Sequence, residues 1–205
     1  MKKIVFISLL LFGSIPFVKG QMLNANYQMS VPLGKINDYT GKMSFRGANL
    51  EYHYFLSNQL SIGGMVGWNV WYKDKGMVSQ NFLVGSNKET YTITGHQYRY
   101  VNTVPIMAMG RYWFNEGNSL LQPYAGIGLG MSWTEMKTDV GQYTSTNSRW
   151  QFAFAPEIGT LIHVNDQFAF NLGAKYTYGT KAGHGRVPAM QNFTISVGIV
   201  LKGVE

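Results

Sequence analysis

Residues 168–178 read FAFNLGAKYTY, in which an apolar or aromatic side chain occupies every second position. Small and polar residues, Lys175 among them, fill the positions between. Successive side chains of a β-strand point to opposite faces. The segment is therefore predicted to be a strand with one apolar face and one face of small and polar residues. Lys175 lies on the side away from the aromatic rings.

The same period of two recurs along the chain. In 60–72, for example, Leu60, Ile62 and their successors alternate with Ser61, Gly63 and mostly small or polar residues. Each such segment is bounded by polar, turn-forming residues. The sequence therefore predicts eight strands, at 25–32, 46–56, 60–72, 99–114, 120–134, 150–163, 168–178 and 192–202.

The connections between these segments alternate between short and long. The short polar turns are 57–59, 115–119 and 165–167, and the longer polar segments are 33–45, 73–98, 135–149 and 179–191. Such a rhythm places all long loops at one end of an up-and-down barrel and all short turns at the other.

Two kinds of barrel show alternating strands: a soluble barrel with an apolar interior, such as a lipocalin, and a membrane barrel with an apolar exterior. The face opposite the aromatic side chains carries Glu51, Arg111, Glu157 and Lys175 but is otherwise rich in glycine and small residues. A solvated exterior would carry many more charged and polar side chains, whereas the lumen of eight strands has room only for side chains. The prediction is an all-β fold, an eight-stranded antiparallel up-and-down transmembrane β-barrel.

The composition agrees with a lipid-facing exterior. Charged residues make up 13% of the chain and aromatic residues 15%. A soluble domain of this size has about twice that share of charged residues. Tyrosine and tryptophan are typical of membrane interfaces.

The first twenty residues have the features of a secretory signal peptide. Lys2 and Lys3 precede an apolar run over 4–12, and Val18-Lys19-Gly20 offers a cleavage site before Gln21. The run is too short for a spanning helix, which disfavours the alternative of an N-terminal anchor. We therefore expect a signal peptide at 1–20, a barrel domain at 21–205, and export to the cell outer membrane.

Four charges inside one narrow barrel are expected to pair, since an unpaired buried charge costs several kcal/mol. Glu157 and Lys175 lie on consecutive strands and are predicted to be direct partners. Glu51 and Arg111 would complete a barrel-interior charge network from the other wall. Two interpretations remain open: a packed plug, and a switchable salt-bridge gate for small ions.

Several segments resemble the small outer-membrane β-barrel family of Gram-negative bacteria, porin-like barrels that include the membrane domain of outer membrane protein A. The segments that carry the resemblance are RGANLEYHYF (46–55), LSNQLSIGG (56–64), TVPIMAMGRYWF (103–114), PYAGIGLG (123–130) and APEIGTLI (155–162). The resemblance covers nearly all of the mature chain. It implies long loops outside the cell, and the inward Glu, Lys and Arg residues look like the lumenal ion-pair network of that family.

Chemistry-bearing motifs are sparse. The Gly126-x-Gly128-x-Gly130 run lies inside a predicted strand with no helix after it, unlike a phosphate cradle. His53 and His163 fall on the inner face but on distant strands. We predict no catalytic residue, no cofactor and no metal site, with loop residues such as His96 and His184 left as an enzymatic alternative.

The long loops and the strand ends beside them are basic. They carry eleven Lys or Arg against five Asp or Glu, a net +6, whereas the short turns carry −2. A cationic rim of this kind suits lipopolysaccharide phosphates, although loop lysines also serve simply to solvate loops. The predicted lipopolysaccharide contacts are Lys35, Lys42, Arg46, Lys73, Lys75, Lys88, Lys181 and Arg186. Export leaves no route to nucleic acid.

The predicted function is that of a structural outer-membrane β-barrel, a monomer whose partners are outer-membrane lipid and lipopolysaccharide. Its lumen is expected to be filled and at most weakly conducting. One alternative is a surface adhesin or host-interaction protein, binding host or cell-surface ligands through loop 73–98, where Tyr91 and Ile93 show strand-like alternation. The other is a lipid A-modifying enzyme.

Overall fold

The computed structural model describes residues 20–84, 89–114, 120–183 and 187–203, with the backbone alone at 80–84, 89–91 and 93. Eight antiparallel strands in chain order form a closed barrel, which confirms the predicted fold class. The strands are β1 Gln21–Leu33, β2 Ser44–Phe55, β3 Leu60–Val84, β4 Glu89–Trp113, β5 Leu121–Val140, β6 Tyr143–His163, β7 Phe168–Gly179 and β8 Met190–Lys202. One helix, α1 (Gly34–Thr40), follows β1.

The barrel closes where β1 pairs with β8, from Met22 opposite Lys202 to Leu33 opposite Gln191. Closure removes the unpaired strand edges that an open sheet would expose to lipid. Pro105 lies where the β3–β4 ladder is interrupted without a change of register, between the pairs Val66–Ile106 and Asn69–Thr103. An interruption is expected there because proline has no N–H to donate.

The two faces of the strands are oriented as the sequence predicted. On β7, Phe170 and Leu172 are 50% and 47% exposed on the outside, while Asn171 between them is 1% exposed in the lumen. The outer surface between the strand ends is consequently a continuous belt of apolar side chains. An apolar exterior around a polar interior is the arrangement of a transmembrane barrel.

Aromatic rings mark both borders of the apolar belt. The exposed rings near the short-turn end are Tyr54, Tyr112, Phe114 and Phe168. Those near the long-loop end are Tyr27, Trp68, Trp150 and Tyr178. Aromatic girdles of this kind lie at the two membrane–water interfaces of outer-membrane barrels.

Two of the predicted long loops are wrong, because they are mostly strand. β3 continues to Val84 and β4 begins at Glu89, so the 73–98 segment is largely a paired hairpin. β5 and β6 likewise continue through 135–149 to the pair Val140–Tyr143, with Gly141 at a φ of 57° in the turn. A strand that lies in water on both faces needs no apolar alternation. The hydrophobic pattern therefore ended before the ladder did.

The predicted 33–45 loop contains α1, which the sequence analysis missed. Seven residues are too few to show a helical period, although Gly41 ends the helix with a φ of 61°, a conformation that favours glycine. Ile36 of α1 is fully buried against Trp71 in the mouth of the barrel. Among the described residues, no helix has the length and apolar content needed to cross a membrane.

Candidate functional site

Four charged side chains meet in the lumen and form a closed ring. Arg111 donates from Nε to Oε1 of Glu157 at 2.5 Å, and its second terminal nitrogen hydrogen bonds to Oε2 of Glu51. Nζ of Lys175 lies 3.2 Å from a carboxylate oxygen of Glu51 and 3.2 Å from one of Glu157. Each cation thus bridges both carboxylates, and the ring is neutral.

The ring is withdrawn from solvent, with side chains only 1–6% exposed. The structure brings together all four residues named from the sequence, and places Glu157 directly opposite Lys175 on neighbouring strands. The contacts are denser than expected, because Arg111 reaches Glu157 as well as Glu51. Breaking such a buried set by removing one partner typically costs about 3–5 kcal/mol.

Strand register explains how the ring forms. Arg111, Gly126, Glu157 and Lys175 lie in one row across β4, β5, β6 and β7. A Cβ at Gly126 would lie 2.9 Å from Cγ of Arg111 and 3.0 Å from Oε1 of Glu157. The glycine therefore leaves the space through which Arg111 crosses to Glu157.

Asparagine side chains surround the ring on the β1–β2 wall. Nδ2 of Asn24 donates to Oε2 of Glu51 at 3.1 Å, and Nδ2 of Asn49 donates to Oε1 at 2.7 Å. Asn26 links Asn49 to Asn171 through hydrogen bonds of 2.7 and 2.8 Å. Glu51 therefore accepts hydrogen bonds from two amides in addition to its two cations.

Tyr124 completes the ring's surroundings. The guanidinium carbon of Arg111 lies 4.4 Å from the centre of the Tyr124 ring, and the phenol donates to Asn171 at 2.9 Å. Sequence reasoning did not select Tyr124 or the asparagines, because uncharged polar residues are unremarkable on a lumen face. The alternation of β2 does place Asn49 on the same face as Glu51, but it does not show that Asn49 contacts the ring.

The two inward histidines lie apart, as the sequence suggested. His53 is fully buried with Nε2 at 3.7 Å from Glu51. His163 lies at the short-turn end, where Nε2 is 3.0 Å from Oε1 of Gln122 and Nζ of Lys202 is also near. Among the described residues, no group of three or more His, Asp or Glu side chains could hold a metal ion.

His96 and His184 are the loop residues on which an enzymatic function would depend. His96 faces outward on β4, with Nδ1 at 3.5 Å from Asp74, and both side chains are nearly half exposed. His184 lies outside the described residues. An exposed His–Asp contact of this kind has the strength of a surface ion pair, about 0–1 kcal/mol.

Apolar clusters lie on both sides of the charged ring. At the short-turn end the buried cluster is Met22, Trp113, Tyr124, Leu161, Ala169 and Val200. Toward the long-loop end lies a methionine-rich cluster of Met65, Met107, Met109, Ala153 and Ala155. Beyond it is the mouth cluster of Ile36, Trp71, Val101 and Met190.

Helix α1 is held in the barrel mouth by polar contacts as well. The Tyr39 hydroxyl hydrogen bonds to Thr138 of β5, and the Arg99 guanidinium lies 4.9 Å from the Tyr39 ring centre. Burial raises the pKa of the Tyr39 phenol above its ordinary value. These contacts anchor the helix over the lumen.

The predicted lipopolysaccharide-contacting residues all lie at the long-loop end where they are described. Lys35, Lys42, Arg46, Lys75 and Lys181 are exposed, and Lys73 is half-buried. Lys88 and Arg186 lie outside the described residues. The cations are thus spread around the rim and are not gathered into one pocket.

The family follows from comparison with known proteins. The model of the outer membrane protein beta-barrel domain family matches residues 14–200. The chain belongs to this family. Membership accounts for the apolar exterior and places the protein in the outer membrane. No curated protein matches the sequence significantly.

Three solved structures have a similar barrel. Neisserial surface protein A is 16% identical, with a TM-score of 0.59 over 90% of this chain and 97% of that one. Ail, the attachment invasion locus protein of Yersinia pestis, is 14% identical, with a TM-score of 0.51 over 90% and 99%. The N-terminal β-barrel domain of Pseudomonas aeruginosa OprF is 9% identical, with a TM-score of 0.50 over 89% and 97%. At these identities the similarity concerns the fold alone.

Proposed function

We propose that this protein is a structural outer-membrane barrel with a filled, at most weakly conducting lumen. The observation that carries the proposal is the position of the neutral four-charge ring between apolar clusters at both ends. An ion crossing the lumen would have to separate a buried ion pair and pass both clusters. Each separation exposes a charge to a poorly solvating interior, at a cost of several kcal/mol. The proposal assigns no catalytic residue.

Planar-bilayer recording of the purified, folded barrel tests the proposal. We expect no discrete conductance between pH 5 and 8. Trp71→Ala with Trp113→Ala removes the largest side chain from the mouth cluster and from the short-turn cluster and is expected to admit small ions. The matched control is Trp68→Ala with Trp150→Ala, two outward tryptophans that are 54% and 50% exposed. Conductance steps of the unmodified barrel that vary with pH would contradict the plug and support the gate.

We also propose that the long-loop end faces outside the cell and that its cations contact lipopolysaccharide phosphates. The support is that the exposed basic residues lie around the rim at this end, beyond the apolar belt. Charge-assisted contacts of Lys and Arg with phosphate are stronger than neutral hydrogen bonds. Replacing Lys35, Lys42 and Lys75 by Gln should lower the lipopolysaccharide retained per barrel during purification. Unchanged retention would contradict this part of the proposal.

A second candidate function, surface interaction, is favoured by the length of the β3–β4 hairpin. Each strand has 25 residues, whereas about 9–11 residues cross an outer membrane. The remainder forms a paired ladder that projects from the long-loop end. Replacing 77–96 by Asn-Gly retains the Lys73–Arg99 pair and shortens the projection.

Adhesion of cells that carry the shortened hairpin measures this function. We expect adhesion to host cells to fall if the hairpin is the contact. The matched control shortens the β5–β6 hairpin by replacing 138–145 with Asn-Gly, which retains the Lys137–Thr146 pair. Equal adhesion by the original barrel and both shortened barrels would contradict the surface-interaction function and support only the structural role.

A further inference from the structure

An aromatic ladder lies on the outward face of the β3–β4 hairpin, beyond the apolar belt. The rings of His96 and Tyr98 stack with centroids 5.5 Å apart. Tyr98 stacks on Tyr72 at 6.2 Å, and Tyr72 in turn contacts Tyr100 at 5.0 Å. We call these four side chains the aromatic ladder.

Strand register establishes which way the ladder faces. Trp71 pairs with Val101, and both side chains are fully buried in the barrel mouth. Tyr72 and Tyr100, the next pair, therefore point away from the barrel axis. Tyr72 lies four residues beyond Trp68 of the aromatic girdle, or about 13 Å along the strand. The ladder thus faces sideways, into the layer just above the hydrocarbon.

Polar groups frame the rings on both sides. Tyr98 pairs with Asp74 of β3 on one side and with Asp139 of β5 on the other. Nζ of Lys137 lies 5.9 Å from the centre of the Tyr100 ring. In the next outward-facing pair of β4 and β5, toward the membrane, Nδ2 of Asn102 donates to Glu135 at 3.3 Å. The framing side chains are hydrogen-bonding groups that lie beside the rings on β3 and β5.

The charge balance of this frame selects the ligand chemistry. Three carboxylates, Asp74, Glu135 and Asp139, are matched by three cations, Lys137, the nearby Arg46 and Lys75, which is exposed beside Asp74. A phosphate would therefore meet no excess of positive charge here, whereas the rim as a whole is basic. Carboxylates accept hydrogen bonds from hydroxyl groups, and aromatic faces cover the apolar face of a sugar ring.

We propose that the aromatic ladder binds the unphosphorylated sugar rings of the glycolipid that surrounds the barrel in the outer leaflet. The sideways direction of the rings and their continuity with the lipid-facing surface favour a neighbouring glycolipid over a soluble glycan. The proposal deepens the lipopolysaccharide contact proposed above, and it rests on that proposal only in placing the long hairpins outside. Cations of the rim would hold phosphates while the ladder holds the saccharide next to them.

The test uses two probes with the full barrel in detergent micelles. The first is complete lipopolysaccharide, and the second is lipid A alone, which has the phosphates but lacks the core sugars. Binding of each is measured by titration, together with saturation transfer from aromatic protons to the sugar protons. We expect complete lipopolysaccharide to bind more tightly than lipid A and to receive saturation from the tyrosines.

Tyr72→Ala, Tyr98→Ala and Tyr100→Ala should each weaken binding of complete lipopolysaccharide by roughly twofold to tenfold. They should leave the affinity for lipid A unchanged. Asp139→Asn should weaken the sugar contact more mildly. The matched control is Tyr178→Ala, an exposed tyrosine on β7 at the opposite wall.

The outcomes separate this inference from the proposal on which it rests. Loss of binding to both probes in the ladder variants, or an equal loss in Tyr178→Ala, would overturn the sugar site. Equal affinity of the original barrel for the two probes would overturn it as well. Failure of lipid A to bind at all would instead count against the cationic rim. A heat-modifiability gel shift confirms that each variant is folded.

Discussion

Arg111 and Glu157 form a buried ion pair, 2.5 Å from Nε to Oε1, although a whole strand lies between them. The intervening residue is Gly126, whose register pairs it with both partners. A guanidinium can span β5 only because this position has no side chain. The ion pair therefore depends on the lack of a side chain at Gly126 as well as on its two charges.

Gly126→Ala is expected to destabilise the barrel by about 1–3 kcal/mol through overpacking. The added Cβ would lie 2.9 Å from the Arg111 side chain, so the guanidinium must shift away from Glu157. Urea unfolding in lipid vesicles, followed by tryptophan fluorescence, measures the change. Gly110→Ala is the control, since a Cβ there meets nothing within 4 Å. Equal stability of the two variants would contradict this account of the ring.

The charge ring predicts strong coupling between Glu51 and Lys175. Glu51→Gln leaves the ring with one excess positive charge, and Lys175→Met leaves one excess negative charge. Each single change should cost about 3–5 kcal/mol of unfolding free energy. The double variant restores neutrality and should recover most of the loss. A double-mutant cycle with no coupling energy would show that the contact at 3.2 Å contributes nothing to stability.

The strands and the inward charges could be predicted because both depend on a local period of two. The alternation within each strand places four charged residues on the inward face, and this does not depend on the register between strands. These residues are Glu51, Arg111, Glu157 and Lys175. The contacts among them could not be predicted in the same way. Arg111 meets Glu157, 46 positions away, because both pair with Gly126 on β5 and because Gly126 has no side chain.

The predicted strands end too early in both projecting hairpins for a different physical reason, although Tyr91 and Ile93 already indicate strand within 73–98. Hydrophobic alternation reports a strand only where its two faces meet different solvents. Between 73 and 98 both faces of the hairpin lie beyond the membrane. The two strands are held together by backbone hydrogen bonds and by contacts such as Tyr72–Tyr98. α1 was not predicted because only Ile36 and Thr40 are buried on its inner face, and two residues do not define a helical period.

The orientation of the barrel wall predicts opposite effects of arginine at two exposed positions, one inside the apolar belt and one beyond it. Leu129 lies midway along β5 between Ala125, opposite Tyr112, and Trp133, opposite Trp150. Leu129→Arg should cost about 2–4 kcal/mol, the range for a cation on the lipid face at the bilayer midplane. Met77→Arg, at a side chain 67% exposed on the projecting hairpin, should be tolerated. Folding yield into vesicles and the gel-shift temperature measure both. Equal tolerance would mean that the apolar belt does not contact acyl chains.

The start of the first strand agrees with the predicted signal-peptide cleavage before Gln21. Gln21 is the first residue of β1 and already pairs with Tyr54, so cleavage there would leave the barrel a complete first strand. The intact mass of protein from outer-membrane fractions should correspond to residues 21–205. Gly20→Leu should retain the precursor, because a large side chain at −1 blocks processing, whereas Lys19→Ser at −2 should be processed normally. A mature mass that begins within β1, or an uncleaved chain in the outer membrane, would refute the assignment of 1–20 as a signal peptide.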